Sequence, residues 1–462
     1  MLGFGGGIAF NAILLYWIPA VPTHYGNISP CLSLLIYTVF VCYLALFWAL
    51  FSWVFAKISR SFPKLAYLLA PFLWIGFEYI LTHLLTGFPW GLLGYSQHDN
   101  LWFLQLASLT GVYGLSFILV LYQSLFVFSM TYRRKAPFFI GLLIVVLIHF
   151  GGWMSMKNKS PMKDSFQATV IQGNVSSEIQ WDRISYFQMR EILDRHLDLT
   201  IEAAEQGSRF IVWPEFTVPL CFGCPSGIYP DFKKEISRVV QQSGITLLLG
   251  TVETALVKEF PHYFNTAICL HPDLSTSQYH KMHLVPFGEY TPYKNIFFFV
   301  DKMTNAIGGL SPGNTYVLHR FEGKKFGTAI CYEIIFPNLV RKFVKKGANF
   351  LVTITNDSWY GKSSGPFQHF AIAVVRAVEN RRFLLRSATT GVSGIIDPCG
   401  RILSRSRMMT QTYLTETVAP KKTLTPYTRY GDFFPLMSLT LGAAFLILSL
   451  AIGKNDDKDT KP

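Results

Sequence analysis

Six apolar runs constrain this chain more than any other feature of its sequence. They cover residues 3–21, 31–56, 65–86, 101–129, 137–156 and 433–453. A bilayer core needs roughly 20 apolar residues in a helix, and each run is about that long. Residues 1–156 are therefore predicted to form a transmembrane bundle of five spans. Residues 431–462 supply a sixth span and a short polar tail, and 157–430 form a separate domain between them. The first run has no basic segment before it and no small-residue cleavage site, so it reads as a span and not as a removable signal peptide. Composition agrees. Half of the 462 residues are hydrophobic, only 15% are charged, and the mean hydropathy is +0.31.

Loop charge sets the orientation. Lys57, Arg60 and Lys64 lie between the second and third runs, and Arg133, Arg134 and Lys135 between the fourth and fifth. The loops at 22–30 and 87–100 contain no Lys or Arg. Basic loops stay cytoplasmic. The N-terminus is then inside, the domain at 157–430 outside, and the C-terminal tail inside. Glu78 falls within the third run, where an ionisable group is costly. It is either functional or paired inside the bundle, for example with His83. The Gly- and Pro-rich loop 86–97 reads as an irregular interfacial segment, with Trp90 and Tyr95 at headgroup depth.

The middle region changes character. Strand-like runs at 168–172, 210–213, 246–250, 265–270, 276–280, 326–330, 350–355 and 394–397 alternate with helical patterns at 183–206, 231–243 and 367–382. That alternation indicates an α/β layered domain. The formal net charge of +13 would draw a basic outer domain towards anionic lipid. No nucleic-acid motif accompanies it. Cys221 and Cys224 have the two-residue spacing of a redox pair, a local disulfide or half a zinc site, and no second pair completes a zinc site.

Three of the strand-like runs end on groups that can do chemistry together. Phe326–Ile330 delivers Cys331, Phe210–Trp213 leads to Glu215, and Thr276–His280 leads to Lys281. A free thiol has a pKa near ~8.5 and is mostly protonated at neutral pH. A carboxylate beside it can take its proton during attack. An ammonium, with the backbone N–H of Tyr332, can stabilise an oxyanion. Glu289 could hold Lys281 or relay a proton, and Glu333 could orient the turn after the nucleophile. Both could equally be structural acceptors for loop backbone. A Cys–His hydrolase using His280, His283 or His369 is a weaker alternative, because no carboxylate–His pattern stands out.

These stretches resemble a known family. WPE at 213–215, YHKMHLVPFGEY at 279–290, SPG at 311–313, AICYE at 329–333, NDSWYG at 356–361, GPFQH at 365–369 and TGFPWGLLGYSQ at 86–97 are similar, in this order, to bacterial apolipoprotein N-acyltransferases, membrane-embedded members of the nitrilase superfamily. The resemblance implies a nitrilase-like αββα sandwich inserted into a polytopic helical membrane domain, in the inner membrane, with its catalytic domain facing the periplasm. It implies Glu215 as base, Lys281 as stabiliser of the intermediate and Cys331 as nucleophile, with Glu289, Tyr332, Glu333 and Trp359 supporting them. It calls for no cofactor or metal. That family typically has eight spans, and the first run here resembles its third, so six spans are expected with orientation preserved.

The reaction so implied is a double acyl transfer. Cys331 takes an acyl chain from a phospholipid as a thioester, and the N-terminal amine of a diacylglyceryl-modified apolipoprotein takes it from Cys331. Val218–Tyr229 and Ile296–Val300, the latter flanked by Lys294 and Lys302, are candidate apolar lips for lipid entry. A membrane-tethered amidase of the same superfamily and a non-catalytic membrane scaffold are the competing readings.

Overall fold

The computed structural model describes residues 1–26, 28–157, 163–175, 184–218, 221–222, 230–257, 260–292 and 309–459. The chain folds as two compact units. One comprises Met1–Pro19, Pro30–Lys159 and Thr425–Pro462, the other Ala20–Ser29 and Ser160–Leu424.

In the first unit, five helices are long and apolar enough to cross a membrane: Pro30–Ser61, Leu65–His83, Val112–Thr131, Ala136–Lys157 and Phe433–Ile452. The expected span at 3–21 differs. Its helix, Leu2–Leu14, has 13 residues and ends before Pro19. Proline lacks an N–H and restricts the residue before it, so Pro19 disfavours a helix continuing from Leu14 into Ala20–Tyr25. Ala20–Tyr25 forms a separate short helix that belongs to the second unit. The run at 101–129 also breaks, at Gly111, whose φ of 72° is left-handed and whose missing Cβ leaves room for the Tyr427 ring. Leu143, Leu147 and Phe150 on Ala136–Lys157 are exposed. A row of exposed large apolar side chains on such a helix suits hydrocarbon and not water.

Glu78 is buried in this unit, and its partners are not the one anticipated. Its Oε1 accepts from the Trp74 indole N–H at 3.0 Å and from the Leu93 N–H at 2.9 Å. His83 instead bonds the Tyr79 carbonyl. The carboxylate thereby ties Leu65–His83 to the loop 86–97. Trp90 and Tyr95 of that loop are buried rather than exposed at an interface, with Trp90 packed on Trp17 at 5.3 Å. An irregular backbone survives at membrane depth only when protein satisfies its polar groups.

The described residues of the second unit form twelve strands. These are β1 (Phe166–Gln172), β2 (Phe210–Val212), β3 (Thr246–Val257), β4 (Phe260–Leu270), β5 (Thr276–His280), β6 (Leu318–Phe321), β7 (Lys324–Ile330), β8 (Phe350–Thr355), β9 (Leu384–Ala388), β10 (Gly394–Ile396), β11 (Ile402–Arg405) and β12 (Thr412–Val418). They make two six-stranded mixed sheets, in the orders β12-β1-β2-β3-β4-β5 and β11-β10-β9-β8-β7-β6. Strands β1, β2 and β3 are mutually parallel, as are β7, β8 and β9. Rings from both sheets meet between them. Phe166 lies 4.7 Å from Phe321 and 5.3 Å from Phe350, and Phe210 lies 5.0 Å from Phe326. Burying each such ring is worth about 1.5–3 kcal/mol. Outside, helices Tyr186–Glu205 and Pro230–Ser243 cover the first sheet through Leu193, Leu197, Phe232 and Ile236. Pro337–Lys345 and Gly365–Asn380 pack on β7 and β9 of the second. The result is four layers, helix–sheet–sheet–helix, with the carboxyl ends of β2, β5, β7 and β8 at one edge.

Replacing Glu78 with Leu leaves two buried N–H groups without an acceptor, a cost of about 1–3 kcal/mol each. Thermal unfolding in detergent should show a clear fall in Tm for Glu78→Leu and a smaller one for Glu78→Gln, which keeps an acceptor oxygen.

Candidate active site

Each of the three expected chemical groups sits just beyond a strand end. Past β2, the Trp213 N–H donates to the Leu248 carbonyl and its indole to Thr200, so the chain is pinned before it turns at Phe216, where φ is 53°. Glu215 lies in that turn, against Gly250 of β3. A Cβ at Gly250 would come within 2.7 Å of the Glu215 Cα, so only glycine admits this approach. Lys281 follows β5, with its N–H on the Asn265 carbonyl of β4 at 2.8 Å. Cys331 ends β7 with φ at 52° and begins the tight turn Cys331–Ile335. A left-handed residue in a sharp turn at a strand end has its side chain projected out of the sheet.

The charges converge. Lys281 is buried, with its Nζ 2.8 Å from Glu289 Oε1 and 3.3 Å from Glu215 Oε1. Glu215 Oε1 also accepts from Asn265 Nδ2 at 2.7 Å, and its Oε2 accepts from the Asn356 N–H past β8 at 2.7 Å. Glu289 Oε1 accepts from the same Asn265 amide at 2.9 Å, and its Oε2 from the Val285 N–H at 2.7 Å. Burial acts to depress the Lys281 ammonium, but Glu289 and Glu215 together outweigh it and hold the pKa raised. Burial pushes the Cys331 thiol up, Glu215 pushes it further, and Lys281 opposes both. The thiol form of Cys331 is thus favoured, within electrostatic reach of both Glu215 and Lys281.

The supporting residues divide by role. Glu333 is buried and ties two loops together. Its Oε2 accepts from Ile330 N–H, and its Oε1 from Tyr279 Oη and from the N–H groups of Met282 and His283. Burial raises its pKa to about 7 against these donors. Tyr332 is buried and packs edge-on against Phe336 at 5.2 Å. Trp359 is half-buried on the turn Asp357–Tyr360, next to the segment that caps Glu215. Ile296–Val300, Lys294, Lys302, Cys224 and most of Val218–Tyr229 lie outside the described residues. Cys221 is disulfide-bonded.

Two features escaped the sequence reading. Asn265, in the middle of β4, touches both carboxylates. Asp357, His369 and Arg386 form a fully buried cluster behind Cys331. Arg386 donates to Asp357 Oδ2 at 2.6 Å, His369 Nδ1 lies 2.9 Å from Asp357 Oδ1, and His369 Nε2 donates to the Cys331 carbonyl at 3.2 Å. The Arg386 charge and the His369 bond hold the Asp357 carboxyl well below its usual range despite burial. A carboxylate–His pattern therefore exists, but it is directed at the backbone oxygen of Cys331. His280 bonds Thr266 and His283 stacks on Phe336.

Residues 167–424 match the family model for carbon–nitrogen hydrolases, so the second unit has the nitrilase-like fold. Residues 1–125 match the model for the apolipoprotein N-acyltransferase N-terminal domain. The apolipoprotein N-acyltransferase of Geobacter metallireducens is 35% identical over 94% of this chain and 83% of its own length. That of Photobacterium profundum is 30% identical over 100% and 89%. The crystal structure of Saccharomyces cerevisiae Nit3, a nitrilase-superfamily member, aligns with a TM-score of 0.43 and 20% identity over 57% of this chain and 93% of that one. The chain belongs to the apolipoprotein N-acyltransferase family, and its relatives and long apolar helices mark it as a bacterial membrane protein.

Removing the ammonium would leave two buried carboxylates facing each other. Lys281→Met should destabilise the protein by about 3–5 kcal/mol at neutral pH. The loss should shrink as pH falls, because protonating a carboxylate relieves the repulsion. Unfolding measured at pH 8 and pH 5 checks both the size and the sign.

Proposed function

We propose that this protein transfers an acyl chain from a membrane phospholipid, through a thioester on Cys331, to the N-terminal amine of a diacylglyceryl-cysteine lipoprotein. The observation that carries the reading is a buried charge cluster, in which Lys281 bridges Glu215 and Glu289 at 3.3 and 2.8 Å, set within electrostatic reach of the buried Cys331 thiol. Because burial keeps that thiol protonated, the sulfur needs a base as it attacks.

In the first half, Sγ attacks the ester carbonyl carbon and Glu215 takes the thiol proton. Lys281 stabilises the oxyanion. The ester C–O bond then breaks, and Glu215 returns the proton to the departing alkoxide, releasing a lysophospholipid. In the second half, the neutral α-amine attacks the thioester and gives a proton to Glu215. The C–S bond breaks, and that proton restores the thiol. Glu289 holds Lys281 in place, Glu333 ties the nucleophile turn to the lysine loop, and Tyr332 and Trp359 support the pocket. No cofactor is required by any step.

The same reading assigns residues 1–156 to a transmembrane bundle, 157–430 to a periplasmic catalytic domain, and 431–462 to a C-terminal span with a cytoplasmic tail. The basic loops around Lys57–Lys64 and Arg133–Lys135, set against a loop at 87–100 without Lys or Arg, support that orientation in the inner membrane.

Incubation with labelled phospholipid and a diacylglyceryl-cysteine peptide tests the proposal. Label should pass to the peptide as an amide. Cys331→Ser should abolish transfer, and Glu215→Gln should slow it at least about 100-fold, the usual scale for a lost general base. Free fatty acid with no labelled peptide would instead support a membrane-tethered amidase.

A further inference from the structure

Asn265 is fully buried in β4, opposite Val252 of β3. Its amide nitrogen has two hydrogens, and each meets a different carboxylate: Glu215 Oε1 at 2.7 Å and Glu289 Oε1 at 2.9 Å. Its backbone carbonyl receives the Lys281 N–H. Turning the amide over would set Oδ1 against two anionic oxygens, so the orientation is fixed by chemistry. Oδ1 itself is buried with no hydrogen-bond partner among the described residues. An unpaired buried acceptor is a cost, and such exceptions call for an explanation. Here the fold leaves one acceptor unsatisfied in order to aim both donors at the acids.

We propose that Asn265 is a positioning residue that holds Glu215 in its ionised, proton-accepting state while keeping Glu289 fixed as the anchor of Lys281. The proposal rests on the reading of Glu215 as the base. The groups facing Glu215 are Lys281 past β5, Glu289 on the loop beyond it, Cys331 past β7, Tyr360 and the Asn356 N–H past β8. Among them Lys281 carries a single positive charge against two carboxylates. A neutral amide donates to both acids without adding charge. When Glu215 accepts the thiol proton, its bond from Asn265 weakens, and the second N–H still holds Glu289 and Lys281 in register.

Hydrogen bonding to the charged form of an acid favours that form, so losing it makes the acid harder to ionise. The test is the rate of acyl-enzyme formation on Cys331 against pH, in the full-length protein with phospholipid donor. In Asn265→Ala the acid limb of the profile should move up by about one pH unit, with roughly a tenfold loss at the former midpoint and recovery at high pH. Asn265→Asp, which adds a third carboxylate, should move it further. Asn265→Ser, whose shorter side chain retains one donor, should fall between wild type and Ala. A uniform loss at every pH with the limb unmoved, in Ser as well as Ala, would overturn the proposal. So would a wild-type profile. An adduct on a residue other than Cys331 in the unmutated protein would instead overturn the catalytic reading beneath it.

Discussion

One ammonium placed between two carboxylates, all three out of water, is the interaction on which the rest of the second unit depends. Each charge alone would be costly to bury. Together they are tolerable because every oxygen of Glu215 and Glu289 has a donor, from Lys281, Asn265, or the N–H groups of Asn356 and Val285. Those donors come from β4, from past β5 and from past β8, so both sheets must be assembled before the charges are satisfied. The four-layer fold and the site thus require each other. The aromatic layer of Phe166, Phe210, Phe321, Phe326 and Phe350 supplies the apolar adhesion that holds the sheets close enough.

Cys331 is braced from two sides by two further buried carboxylates, Glu333 and Asp357. Glu333 holds the backbone before Cys331 to the backbone after Lys281. Asp357, through His369, holds the carbonyl of Cys331 itself. A left-handed residue at a strand end is a strained arrangement unless its surroundings over-determine it. The two braces do that, one on the backbone before Cys331 and one on its own carbonyl.

Much of this was legible in the sequence because strand ends are marked by composition. Runs such as Phe350–Thr355 and Phe326–Ile330 are apolar, short and β-branched, and the polar residue that stops each run is the one that reaches the site. The remainder was illegible for identifiable reasons. Asn265 sits in the middle of β4, beside Phe264 and Thr266; its signal is that Asn is disfavoured in strands. Asp357, His369 and Arg386 span three elements, and Arg386 broke up the apolar run that would have revealed β9. The edge strands β6, β11 and β12 are only partly buried and carry too weak an alternation. In the membrane unit, hydropathy averaged over Pro19 and Gly111, and backbone geometry, not apolarity, ended those helices.

The transfer route is decided most directly by where an acyl group first bonds to the protein. Full-length enzyme exposed to phospholipid without acceptor, then analysed by intact mass and peptide mapping, should gain one acyl chain as a hydroxylamine-sensitive thioester on Cys331, discharged when the lipoprotein peptide is added. Peptide acylation proceeding with no adduct at any time, or an adduct on a different residue, would contradict it.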